Sequence, residues 1–87
     1  MKKVQMVFTK TCIYCGPTKQ IWHDLQKKYK FEYEEIDAET PKGQELVQKF
    51  QIMAVPTTII TRENGKSEVA FIGLPNKIRA EEKITEK

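Results

Sequence analysis

Met6-Val7-Phe8-Thr9-Lys10-Thr11-Cys12-Ile13-Tyr14-Cys15-Gly16-Pro17-Thr18 carries both cysteines of the chain, three positions apart, between a short apolar run and a helical pattern. Upstream, Val4, Met6 and Phe8 alternate with Gln5 and Val7, which predicts a strand covered at least partly on both faces. Downstream, Ile21, Trp22, Leu25 and Tyr29 recur at helical spacing, with Lys19, Gln20, His23, Asp24, Lys27 and Lys28 between them. A helix of about four turns starting near Tyr14 follows. Pro17 falls in its first turn, where a missing N–H breaks no hydrogen bond. The cysteine pair therefore opens a helix that directly succeeds a strand.

Working outward, Phe31-Glu32-Tyr33-Glu34-Glu35-Ile36 reads as a strand ending at Asp37, and its three glutamates suit a sheet edge. Thr40-Pro41 supplies an N-cap and a proline at the first helical position. Leu46, Val47 and Phe50 give that helix its apolar face, and Gly43 is expected to weaken its opening turn. The branched run Thr57 to Arg62 predicts a strand. Asn64-Gly65, on which a type I′ turn is expected, returns the chain antiparallel through Glu68 to Ile72. Gly73-Leu74-Pro75 ends that strand. Asn76 to Lys87 reads as a last helix, the most loosely held element, whose apolar positions are Ile78 and Ile84. The order is β-α-β-α-β-β-α. Right-handed crossover of the first βαβ unit makes the first two strands parallel, giving an α/β fold with a small four-stranded mixed sheet flanked by helices.

Eighty-seven residues are expected to form one domain over 1–87, which excludes a two-domain enzyme. With 39% hydrophobic and 31% charged residues the chain reads as an ordinary globule, not a disordered or collagenous one. Fifteen basic residues against twelve acidic ones are interleaved throughout, so the net charge of +3 names no partner. Lys2-Lys3 and Lys27-Lys28-Lys30 lack aromatic residues arranged for base stacking, so no nucleic acid is expected. No apolar run approaches the roughly 18 residues of a membrane span, and the apolar stretch after Met1 is short and broken by Gln5. A cytoplasmic, monomeric protein is expected. Two cysteines are too few for the disulfide framework of a small secreted domain.

The chemistry follows from placement. Thiolate is the nucleophile in disulfide exchange, and the unpaired amides and dipole of a helix N-terminus stabilise that anion, so the Cys12 thiol is expected to ionise more readily. An ammonium on Lys10 would add to this. Cys12 would attack a substrate disulfide, and Cys15, one helical step further in and more buried, would resolve the mixed disulfide. Two other uses of the pair compete. A closed zinc site needs four ligands, and His23 is the only further soft one, so a metal would require two chains. A structural disulfide across four residues would remove little unfolded-state entropy. Redox exchange with no cofactor or metal is the favoured reading. At Ala54-Val55-Pro56-Thr57 the proline either starts a strand in trans or adopts cis. A cis bond beside the cysteines would turn the backbone of Val55 toward an extended substrate segment. Tyr14 could shape substrate choice or be merely exposed. Trp22 belongs to the core stripe, and His23 to the solvated face.

Cys12-Ile13-Tyr14-Cys15 opening the first helix, Val55-Pro56-Thr57 some forty residues later, the Asn64-Gly65 hairpin and Phe71-Ile72-Gly73 together resemble a short member of the thioredoxin and glutaredoxin family. The resemblance spans nearly the whole chain. It implies the thioredoxin fold, with Cys12 as nucleophile, Cys15 as resolving thiol, Pro56 as the family's cis-proline and Gly73 as the small residue that lets a partner approach the sulfurs. Size and the Cys-x-Tyr-Cys motif are similar to glutaredoxins, and the chain lacks the additional N-terminal strand and helix of full-length thioredoxins. Thr11 precedes the motif where thioredoxins typically have Trp. Met6 stands where they carry a buried acid that helps to deprotonate the resolving thiol, and Gly73-Leu74-Pro75-Asn76 replaces the Gly-Gly and Asp with which glutaredoxins hold glutathione. The implied activity is reduction of protein disulfides, with electrons supplied by a thioredoxin-reductase-type flavoprotein. The alternative is a glutathione-dependent glutaredoxin, or a glutaredoxin-like donor to ribonucleotide reductase, in which Lys10 and Tyr14 contact glutathione.

Overall fold

Alternating apolar residues from Val4 onward form strand β1 (Lys3–Phe8), and the helical stripe becomes α1 (Cys15–Gln26) in the computed structural model, which describes residues 1–86. Next come β2 (Glu32–Asp37), α2 (Pro41–Phe50), β3 (Thr57–Thr61), β4 (Ser67–Ile72) and α3 (Lys77–Thr85). The expected order β-α-β-α-β-β-α is present. Strand order is β2-β1-β3-β4, with β1 parallel to β2 and antiparallel to β3, and β3 antiparallel to β4. The glutamate-rich strand is an edge, as its charge implies. Its register against β1 runs from Lys3 opposite Glu32 to Phe8 opposite Asp37.

The core forms where α1 and α3 meet the sheet. Trp22 and Leu25 of α1, Ala80 and Ile84 of α3, and Val4, Ile60 and Phe31 are all buried together. Trp22 stands edge-on to Phe31 at 6.2 Å, and its indole N–H donates to the buried hydroxyl of Thr58 at 3.3 Å, so the one polar atom of this large side chain is satisfied. Outside this cluster, α2 packs along β2. Thr40 caps α2 by accepting from the Gly43 amide at 3.1 Å, with Pro41 at the first helical position, as the sequence predicts.

Four local expectations change. The first helix ends at Gln26 rather than Tyr29, because the chain tightens there: the amides of both Lys28 and Tyr29 donate to the Leu25 carbonyl. The hairpin does not use a type I′ turn. Gly65 alone has positive φ, at 89°, while Asn64 does not, and Gly65 N–H donates to Arg62 C=O at 2.9 Å. Arg62 and Lys66 then close a three-residue loop whose left-handed position is the glycine, and Asn64 Oδ1 accepts from the Lys66 amide. In α3 the buried positions are Ala80 and Ile84, whereas Ile78 is 71% exposed, because the helix turns Ala80 and Ile84, four positions apart, onto the core. Finally, Gly43 is buried where a β-carbon would run into the backbone of Asp37 and Ala38, so clearance, and not only a weak opening turn, marks this position.

Glu34 on edge strand β2 accepts from the Lys42 ammonium at 2.6 Å and from Gln5 at 3.2 Å, with Lys3 at 3.3 Å. The Lys42 hydrogen bond leads, with help from Gln5 and Lys3 and against partial desolvation, in holding this carboxyl down to about 2. A carboxyl depressed in the folded state stabilises it above the ordinary value of 4.5, and that contribution is lost as the pH falls toward 2. Glu34→Gln is therefore expected to lose less stability than the parent between about pH 6 and pH 2.5, measured as urea midpoints at each pH. Equal losses in the two proteins would refute this assignment. The side chain is 35% exposed, so water screens the contribution.

Candidate redox site

Sheet register brings three distant segments to one end of the molecule. Val7 near the end of β1 pairs with Thr57 at the start of β3, and Thr57 pairs with Ile72 at the end of β4. The loop after β1, which holds Cys12, therefore lies at the same sheet end as Val55-Pro56 and Gly73. Pro56 and Gly73 are joined directly, Gly73 N–H donating to Pro56 C=O at 2.7 Å. Thr57 Oγ1 donates to Ala54 C=O at 2.6 Å and holds the loop before β3 in shape.

Cys12 and Cys15 are joined in a disulfide with their α-carbons 5.4 Å apart. Cys12 lies on the turn before α1, its amide donating to Thr9 C=O at 3.2 Å, and is half-buried. Cys15 is the first residue of α1 and is only 7% exposed. The N-cap is Tyr14, which makes no side-chain cap, and the first turn carries no acidic residue. Among the described residues, the amides of Cys15 and Gly16 have no acceptor, and Pro17 has no N–H to offer. The positive end of the helix dipole is thus neither capped nor neutralised, which is the arrangement that stabilises an anion placed there. Thr18, fully buried, closes the turn beneath by donating its hydroxyl to Tyr14 C=O at 2.7 Å.

The other residues singled out from the sequence fall as follows. The Val55-Pro56 bond is cis; Pro56 is buried, whereas Val55 is half-buried and its backbone N–H and C=O make no hydrogen bond among the described residues. Gly73 has φ +85° and open space where a β-carbon would stand. Tyr14 is 56% exposed, and Lys10 is exposed on the turn before Cys12. Met6 is 2% exposed on β1, with the Tyr33 hydroxyl 3.8 Å from its sulfur. That hydroxyl donates to Glu35 at 3.2 Å, and burial together with the neighbouring carboxylate pushes the phenol above its ordinary range. Two exposed apolar side chains escape the sequence reading: Ile13, 82% exposed inside the motif, and Met53, 97% exposed three residues before Pro56. Periodicity assigns apolar residues to a core, so an apolar residue outside any periodic segment gives no signal.

The thioredoxin domain family model matches residues 2–85. No curated protein sequence matches the chain. Among solved structures, thioredoxin-2 of the malaria parasite, a component of its protein secretion machinery, superposes with a TM-score of 0.84 at 20% identity, over 100% of this chain and 84% of that one. Reduced Schistosoma mansoni thioredoxin gives 0.81 at 25% identity, over 98% and 77%. A thioredoxin-like protein from Clostridium perfringens gives 0.83 at 28%, over 97% and 68%. The mixed sheet with its three helices is the thioredoxin fold. No helix among the described residues is long and apolar enough to cross a membrane. Because the family match runs across the sheet, the helices and the disulfide that opens α1, the chain belongs to the thioredoxin family and is a thiol-disulfide oxidoreductase whose redox pair is Cys12 and Cys15.

Proposed function

We propose that Cys12 is the nucleophile and Cys15 the resolving thiol in a protein-disulfide reductant. The observation that carries this is the asymmetry of the pair: Cys12 stays accessible at an uncapped helix start, whereas Cys15 is enclosed one step further in. In the dithiol form, the Cys12 thiolate attacks one sulfur of a substrate disulfide. That bond breaks, and the departing substrate thiolate takes up a proton. Deprotonated Cys15 then attacks the Cys12 sulfur, restoring the intramolecular disulfide and expelling the second substrate thiolate, which is protonated in turn. Two electrons and two protons pass to the substrate, with no metal or organic cofactor.

Substrate recognition is assigned to Tyr14, Val55, Pro56 and Gly73. The unpaired backbone groups of Val55 can bind an extended chain by strand addition, and the space beside Gly73 leaves room for it. Lys10 adds positive charge beside the thiolate. The protein acts as a monomer, with residues 1–87 as one domain, in cytoplasmic redox homeostasis and electron transport. A thioredoxin-reductase-type flavoprotein returns it to the dithiol. The oxidised protein is expected to turn over insulin disulfides with NADPH and thioredoxin reductase, and at least about tenfold more slowly with NADPH, glutathione and glutathione reductase. Preference for glutathione would replace this reading with the glutaredoxin one.

A further inference from the structure

Met53 is the most exposed large apolar side chain of the described residues, at 97%, and it has no packing role in its own fold. It sits on a ridge, Ile52-Met53-Ala54, shared by two clefts, the second of which also has Glu39 and Gln44 in its wall. One, of about 180 Å³, is lined by Phe50, Thr57, Val69 and Ile72. The other, of about 300 Å³, runs from Thr9, whose carbonyl holds the Cys12 amide, past Val47 to Val55. The ridge therefore continues the segment that carries the unpaired backbone of Val55, and one cleft reaches the turn that carries Cys12. Met53 stands two residues before Val55, so a substrate segment paired along Val55 passes next to this ridge. An unbranched, polarisable thioether is well suited to packing against varied apolar partners there.

The same sulfur is a chemical liability of definite location. Thioether oxidation follows exposure, and the three methionines of the chain differ sharply: Met6 is 2% exposed, Met1 67% and Met53 97%. We propose that Met53 is a peroxide-sensitive recognition residue: as a thioether it packs on the apolar residue flanking the substrate cysteine, and its oxidation to the sulfoxide weakens docking while leaving the Cys12–Cys15 pair intact. In that step hydrogen peroxide transfers one oxygen to the Met53 sulfur. The sulfur gives up two electrons, the O–O bond breaks, and water leaves. The sulfoxide is polar and chiral, so it forfeits the apolar contact and must shed water to be covered. The inference rests on the substrate path along Val55 described above.

The experiment treats the full-length disulfide form with hydrogen peroxide, removes the oxidant, reduces the pair with dithiothreitol and compares each protein with its own untreated sample. Peptide mass mapping is expected to show one added oxygen at Met53 and Met1 and none at Met6. For the parent, KM toward insulin is expected to rise about fivefold with little change in kcat. Reduction of a small aromatic disulfide, which spans no ridge, is expected to be unchanged. Met53→Leu keeps an apolar side chain with no oxidisable sulfur, so its treated-to-untreated KM ratio is expected to be 1. Met53→Gln is expected to show a raised KM before any treatment. An unchanged KM in parent protein carrying the Met53 sulfoxide, or an equal rise in Met53→Leu, would overturn the proposal. Failure of the untreated parent to reduce insulin would instead sink the reductase reading itself, so the two failures are distinguishable.

Discussion

Cys12→Ser abolishes insulin reduction, by more than about a thousandfold in kcat/KM, because a serine hydroxyl is not ionised at neutral pH and its oxygen forms no bond that a second thiol could resolve. Cys15→Ser has a different expected phenotype. Its Cys12 still attacks, but nothing releases the mixed disulfide, so incubation with a disulfide substrate yields a covalent one-to-one complex. Non-reducing electrophoresis and intact mass check this, the complex dissolving on addition of dithiothreitol. The contrast follows from burial: a bulky protein disulfide can reach half-buried Cys12 but not Cys15 at 7% exposure. Accumulation of the complex in Cys12→Ser rather than Cys15→Ser would reverse the assignment.

Gly43→Ala is expected to destabilise the protein by about 3 kcal/mol, lowering Tm by roughly 10–20 °C. Helix propensity gives the opposite sign, since alanine inside a helix is favoured over glycine by about 1 kcal/mol. The structure overrules it. A β-carbon at position 43 would stand 2.7 Å from Ala38 Cα and 2.8 Å from the Asp37 carbonyl carbon, with the Asp37 oxygen nearer still. These are backbone atoms, which have no rotamer by which to retreat. Relief requires α2 to move off the end of β2, breaking the hydrogen bonds from the Thr40 amide and hydroxyl to Asp37 C=O. Thermal unfolding followed by far-ultraviolet circular dichroism measures the effect, and a Tm equal to or above the parent's would show that the contact is not restrictive.

Gly43 also shows where a sequence reading stops. The three helices, four strands, Thr40 cap and the cysteine pair at the opening of α1 are legible because each is set by residues within a few positions: alternation, helical spacing, a proline at a first turn. The hairpin at Asn64-Gly65 was located correctly, yet its turn type was not, since Asn64 tolerates positive φ without requiring it and the loop placed that demand on Gly65 alone. Ile78 shows the same limit: hydrophobicity marks it as a core position of α3, but the face the helix turns to the core carries Ala80 and Ile84 and leaves Ile78 exposed.

The two cysteines, their spacing and their position at a helix start were determined by sequence alone, and with them the reaction class, because the amides that stabilise a thiolate belong to the same short segment. Tertiary structure alone decided what stands around that sulfur. Pro56 and Gly73 reach Cys12's end of the sheet only because Val7 pairs with Thr57 and Thr57 with Ile72. It also decided the clearance required at Gly43 and the exposure of Met53. Such features depend on how segments pack, from the fifty residues between Val7 and Thr57 to the five or six between Gly43 and the backbone of Asp37 and Ala38, and no local pattern of side chains encodes the distance between segments until the fold has set it.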